Sequence, residues 1–130
     1  LIVLDASAAI ELLLRRPAAA EIEALLFGQG ETLHAPHLLD IEVTQVIRRF
    51  AAGHEIDDQR GGAVLADLCD LPVQRYQHDI LLLRMWGLRH NLTAYDAAYV
   101  ALAEALGAVL VTLDRRLAVA ASKIVRIAVV

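Results

Sequence analysis

Four acidic residues stand where a succession of βα units would gather them. Asp5 follows the apolar run LIVL, Glu42 lies in a helical stretch behind Pro36, Asp96 opens YDAAYVALAEAL, and Asp114 follows VLVTL. Carboxylates crowded together raise one another's pKa, and desolvation adds to the cost. A divalent cation reverses that balance: Mg²⁺ accepts hard oxygen ligands, keeps several waters and bridges carboxylates to phosphate oxygens. Such a cluster can activate water and offset the charge that builds on a phosphodiester during in-line attack, with one metal or two. Each acid taken alone has a simpler use. Asp5 and Asp114 could cap the helices that follow them, Asp96 could complete a capping box with Thr93, and Glu42 could be a rim residue. Only the four together point to cation chemistry.

The elements that must position them are legible as short apolar runs alternating with longer stretches of helical period. Strands are expected at LIVL, near Thr32 to Ala35, and at Pro72 to Tyr76, Ala108 to Leu113 and Ile124 to Val130, each reading as buried on both faces. Helices are expected at Ser7 to Leu14, capped by Asp5 or Ser7, and at Ala18 to Phe27, introduced by Pro17 and stopped by Gly28. A third starts at Pro36 and runs to Gly53 with Leu39, Val43, Val46, Ile47 and Phe50 on one side. Two more cover Asp57 to Leu71 and His78 to Arg89, and a sixth runs from Thr93 to Gly107. The alternation predicts an α/β fold of three layers, α/β/α, with a central parallel sheet of about five strands and right-handed crossovers. Ligands of such sheets sit beyond the carboxyl ends of the strands, where Asp5 and Asp114 fall.

Length and composition set the outer bounds. At 130 residues, 58% hydrophobic and 22% charged, the chain reads as one soluble domain, residues 1–130, with no linker or internal repeat. No apolar stretch approaches the roughly 20 residues that span a bilayer, and the lone Cys69 has no partner in the chain for a disulfide, so a cytoplasmic address is expected. The first residue is Leu1 rather than Met, which suggests a trimmed amino terminus. A net charge of −4 argues against unspecific adhesion to a phosphate backbone. Two bound Mg²⁺ would bring that sum to zero. Eleven of the twelve basic residues are arginine, the better group for bidentate phosphate contact, and several are paired along the chain.

The patterns L-D-A-S at Leu4 to Ser7, the Glu42 helix, T-A-Y-D-A-A-Y at Thr93 to Tyr99 and T-L-D-R-R-L at Thr112 to Leu117 resemble the PIN domain, and within it the VapC-type toxins of bacterial toxin–antitoxin pairs. The resemblance runs through essentially the whole chain, in order. It implies a metal-dependent endoribonuclease in which Asp5, Glu42, Asp96 and Asp114 hold Mg²⁺ or Mn²⁺, with Ser7 and Thr112 as supporting hydroxyls. It further implies an RNA substrate, a homodimer and a VapB-type antitoxin that obstructs the site. Arg15, Arg16, Arg89, Arg115 and Arg116 are the candidates for steering the RNA backbone. Asp40 lies about 200° from Glu42 around a helix, so only one of the two can face the site, and Glu42 is the choice.

Two other readings stay open at this point: an inactive PIN-like interaction domain, and a phosphoacceptor signalling module built on a strand-end Asp. Against the second, Lys123 is the only lysine and has no evident place beside Asp5. His34 and His37 form an H-x-x-H pair without further zinc-spaced ligands, and Cys69 lies among acids that disfavour a thiolate. Leu12, Leu13, Leu14, Leu25, Leu26 and Phe27 divide between core and a possible partner surface.

Overall fold

The computed structural model describes residues 1–130. Five strands, β1 (Ile2–Leu4), β2 (Leu33–Pro36), β3 (Val73–Tyr76), β4 (Val109–Thr112) and β5 (Ile127–Val129), form one sheet in the order β3-β2-β1-β4-β5. Every pairing is parallel, from Ile2 opposite Leu33 and Val109 at the centre to Leu110 opposite Ile127 at one edge. Parallel neighbours require crossovers. Helices α1 (Ala6–Leu13), α2 (Ala19–Phe27), α3 (Leu38–Ala52) and α4 (Asp58–Asp70) supply them on the β1-to-β3 side. A 3-10 turn (Asp79–Leu81), α5 (Leu82–Gly87), α6 (Ala94–Leu106) and α7 (Arg115–Ala121) carry the chain back across to β4 and β5.

Burial explains which runs became strands. β1 and β2 are buried along their whole length, as doubly covered central strands must be, and Val3, Leu4, Leu110 and Val111 are fully enclosed. The edge strands differ from the sequence expectation: β3 and β5 are only partly covered, because each has a neighbour on one side alone. Helix α6 is buried from Ala97 through Ala103, and its alanines let it lie close against β1, β2 and β4. That close fit brings its first turn to the carboxyl end of the sheet.

Pro36 ends β2 rather than starting α3. The next amide, His37, donates to Tyr76 of β3, so by strand alternation the missing Pro36 donor points toward β1, whose pairing with β2 stops at His34. No ladder bond is lost. The expected helix from His78 to Arg89 is interrupted: the Asp79 carboxylate takes the Ile80 amide at 3.0 Å, and the chain makes a 3-10 turn before α5. α7, for which the sequence offered only Asp114 as a cap and no range, starts there, with Asp114 accepting the Arg116 and Leu117 amides at 2.9 and 3.1 Å.

The start of α3 has no side-chain cap of its own. His78, just after the neighbouring strand β3, fills that place, its Nε2 accepting the Leu38 amide at 2.9 Å. His78→Ala should cost about 1 kcal/mol, the usual worth of a helix cap, read as a lower midpoint in thermal or urea melts. An unchanged midpoint would show that water replaces the imidazole without loss.

Candidate active site

Asp5 is the last residue before α1 and the best-fixed carboxylate in the chain. It is 5% exposed, and as N-cap its Oδ1 accepts the Ala8 amide at 3.0 Å and the Ser7 hydroxyl at 2.7 Å. Its Oδ2 accepts the Thr112 hydroxyl from the end of β4. Ser7 Oγ in turn accepts the Leu113 amide at 2.9 Å, and Thr112 Oγ1 accepts the Asp114 amide at 2.9 Å. Both hydroxyls give their proton to Asp5, so their 3.3 Å approach to each other is proximity rather than a bond. The result ties the ends of β1 and β4 together and fixes the Asp5 carboxylate in one orientation.

Glu42 lies one turn into α3, half-buried, and its Oε1 accepts the Tyr99 hydroxyl at 2.7 Å. That bond crosses from α3 to α6 over the carboxyl edge of the sheet. Asp40 is turned away: its Oδ2 binds Arg75 Nε at 2.8 Å, while Oδ1 has no partner. Asp96 sits in the first turn of α6, where its amide donates to the Thr93 hydroxyl at 3.1 Å. The expected box is half made, since the Asp96 carboxylate does not return to the Thr93 amide and faces the other acids instead. Asp114 caps α7 at the end of β4, one strand over from Asp5.

Electrostatics links these groups in pairs, Asp5 with Asp114, Glu42 with Asp96 and Asp96 with Asp114. Burial pushes the Asp5 carboxyl above its ordinary range, against the pull of its three donors, and Asp114 pushes it further. Burial also raises Glu42, opposed by Tyr99 and reinforced by Asp96. Asp96 is raised by burial and then by Asp114. Tyr99 is driven far above the usual phenol value by burial first and then by Glu42, with Asp5 and Asp96 adding to it. The four acids thus form one field of unbalanced negative charge. No three acidic, histidine or cysteine side chains stand close enough to make a finished ligand cage. The donor set, hard oxygens that repel one another, suits a Mg²⁺-like ion that keeps part of its water shell.

The remaining candidates are scattered. Arg15 and Arg16 lie in the turn after α1, with the Arg16 guanidinium 4.8 Å over the Phe50 ring; Arg89 covers Trp86 at 4.3 Å; Arg115 and Arg116 open α7. All five are exposed. Both ring nitrogens of buried His34 are engaged, by Thr32 at 2.8 Å and Tyr76 at 2.7 Å, leaving none for a metal. Lys123 follows α7, which leads away from the Asp114 edge, so it stands at the far side of the sheet from Asp5. Of the leucines considered for a partner surface, Leu13 and Leu26 are core, while Leu25 and Phe27 are exposed. Sequence reasoning assigned no role to Tyr99; its place three residues after Asp96, on the same helical face, was the available signal.

The order of the strands, the all-parallel pairing and acids at one sheet edge define a class of protein. The chain belongs to the PIN domain family, whose pattern matches residues 2–123, and within it to the VapC ribonuclease toxins. Ribonuclease VapC12 of Mycobacterium tuberculosis is 46% identical over 118 residues, covering 91% of this chain and 90% of the relative. PAE2754 from Pyrobaculum aerophilum superposes with a TM-score of 0.71 at 25% identity, over 97% of this chain and 81% of that one. VapBC2 from Rickettsia felis, solved bound to a DNA fragment from their promoter, shares the fold at a TM-score of 0.68 and 12% identity, over 98% of this chain and 96% of that one. No helix is long and apolar enough to cross a membrane.

Proposed function

We propose that this VapC ribonuclease cuts RNA phosphodiester bonds at the carboxyl edge of its sheet, with Asp5, Glu42, Asp96 and Asp114 holding Mg²⁺ or Mn²⁺. The observation that carries the reading is a buried, triply bonded Asp5 at the strand end, with Asp5, Glu42 and Asp96 raised by burial first and by a neighbouring acid besides. A bound divalent cation would relieve the burial and repulsion that raise these carboxyls. When bound, the ion offsets charge on the phosphate and makes water acidic enough to attack near neutral pH. The chain does the rest. Ser7, Thr112 and the Ala8 amide aim Asp5 and favour its charged form against the larger opposing effect of burial, and Tyr99 holds Glu42 by one oxygen, leaving Oε2 without a protein donor.

The same arrangement disfavours a phosphoacceptor role, because Asp5 is buried and saturated by three donors rather than free to attack, and the sole lysine is at the opposite edge. The partner supported by the VapBC relatives is a VapB-type antitoxin, and the setting a bacterial cytoplasm with the toxin as a homodimer. The test is cleavage of total RNA by the purified chain in Mn²⁺, together with growth arrest when it is expressed without an antitoxin. Cleavage in Mn²⁺ that disappears with EDTA is expected. An intact chain that binds Mn²⁺ in calorimetry and cuts nothing would overturn the nuclease reading in favour of an interaction domain.

A further inference from the structure

A groove of about 500 Å³ adjoins the acids, between α1 and α3. It shares Ser7 and Glu42 with the acidic cluster, is lined mostly by apolar side chains, and also counts Gln45, Arg49 and Tyr95 in its lining. Glu42, Gln45 and Arg49 fall at i, i+3 and i+7 of α3, one stripe of the helix, with Arg49 about 10 Å further along the axis than Glu42. Tyr95 precedes Asp96 and is 62% exposed. The chain's three ion pairs are Leu1 with Glu31, Arg75 with Asp40 and Arg84 with Glu104, so Arg49 stands beside an acidic cluster without being neutralised by it.

We propose that this groove is a nucleotide subsite: it takes the unpaired nucleotide next to the scissile phosphate, its base stacked on Tyr95 and the following phosphate on Arg49, with the Gln45 amide facing the base edge. The inference rests on the ribonuclease reading and adds where the substrate lies. Single-stranded RNA is recognised by three kinds of group, an aromatic face, a guanidinium and an amide or similar donor–acceptor pair, and the groove presents one of each. A free guanidinium beside a metal-bearing acid cluster also matches a ligand that carries phosphate at regular intervals. An apolar peptide would use the aliphatic wall and find an unpaired charge at its end. Stacking is tolerant of sequence, so Tyr95 sets affinity, whereas Gln45 is placed to prefer one base over another.

The test uses the full chain, a fluorescein-labelled pool of single-stranded RNAs of roughly 12 nucleotides, and anisotropy in EDTA, where nothing is cut. Tyr95→Ala and Arg49→Ala should each weaken binding by about 5- to 50-fold, the range a stacked base or phosphate contact commands. Tyr95→Phe, which keeps the ring face, should stay within about two-fold. Binding of the same RNA as a duplex should ignore Tyr95, because paired bases cannot enter the groove. Both side chains are exposed, so melts should be unchanged. Unaltered RNA affinity in both alanine variants overturns the inference. So does loss of binding only to a co-expressed protein partner, which would make the groove a protein-docking surface. The nuclease reading fails separately: if the native chain never cuts RNA in Mn²⁺ while binding still depends on Tyr95, the groove stands and the catalytic assignment falls.

Discussion

Asp5→Asn will lower the rate of RNA cleavage by at least about 10²-fold, the scale of losing one pre-aimed electrostatic group, while leaving the fold intact. The fold should survive because Asn keeps an Oδ1 for the Ala8 amide and the Ser7 hydroxyl. Its Nδ2 then faces Thr112, whose hydroxyl oxygen already accepts the Asp114 amide and has a second lone pair to offer. The Thr112 proton turns elsewhere. What is lost is the charge at the most enclosed point of the cluster. The measurement is initial rate on a labelled RNA at matched protein concentration, with circular dichroism to confirm folding. In cells, the native chain should arrest growth and the variant should not, both accumulating equally. A variant that cuts within ten-fold of the native rate would remove Asp5 from the machinery.

Divalent ions will raise the melting temperature, and the increment will grow with pH. Asp5, Glu42 and Asp96 are held above their ordinary values of 3.8, 4.5 and 3.8. Between those values and the raised ones the native chain binds more protons than the unfolded chain. Stability in EDTA is therefore full below the ordinary carboxyl range and is lost as pH rises through the folded values. His34 contributes the opposite slope: burial lowers its pKa from 6.5, so its share is present above 6.5 and lost as pH falls through the folded value. That contribution is common to both conditions and cancels in the difference between Mn²⁺ and EDTA. At about a hundred times its dissociation constant an ion adds about 2.7 kcal/mol. Melts across pH 4 to 8 in the two conditions read the effect directly. A Mn²⁺ increment that is absent, or equally large where the carboxyls are protonated, would mean that these acids do not hold the ion.

The fold class and the candidate acids were more legible than the limits of the elements that carry them. Asp5, Glu42, Asp96 and Asp114 were readable because each is a carboxylate in a place where strand or helix starts are marked by apolar runs and capping residues. Element limits failed where local chemistry was ambiguous. Pro36 could open a helix or close a strand, and only the end of the β1 pairing decides that it closes one. The 3-10 turn before α5 is closed by the Leu81 amide on the His78 carbonyl, with the Asp79 side chain taking the Ile80 amide, where the periodicity allowed a continuous helix. The extent of α7 after the Asp114 cap was not read because seven residues give too little period.

What the sequence determined by itself is the alternation of apolar runs and helical stretches, hence a parallel α/β sheet with strand-end acids, since burial on both faces and right-handed crossover leave few other arrangements. What the tertiary structure alone decided is pairing between elements distant in the chain. Tyr99 donates to Glu42, 57 residues earlier, and Thr112 donates to Asp5, 107 residues earlier; Asp40 goes to Arg75, and Arg49 is left unpaired in a groove. A hydrogen bond depends on a few tenths of an ångström and on direction, which side-chain packing across α3, α6 and the sheet edge sets and no local pattern encodes.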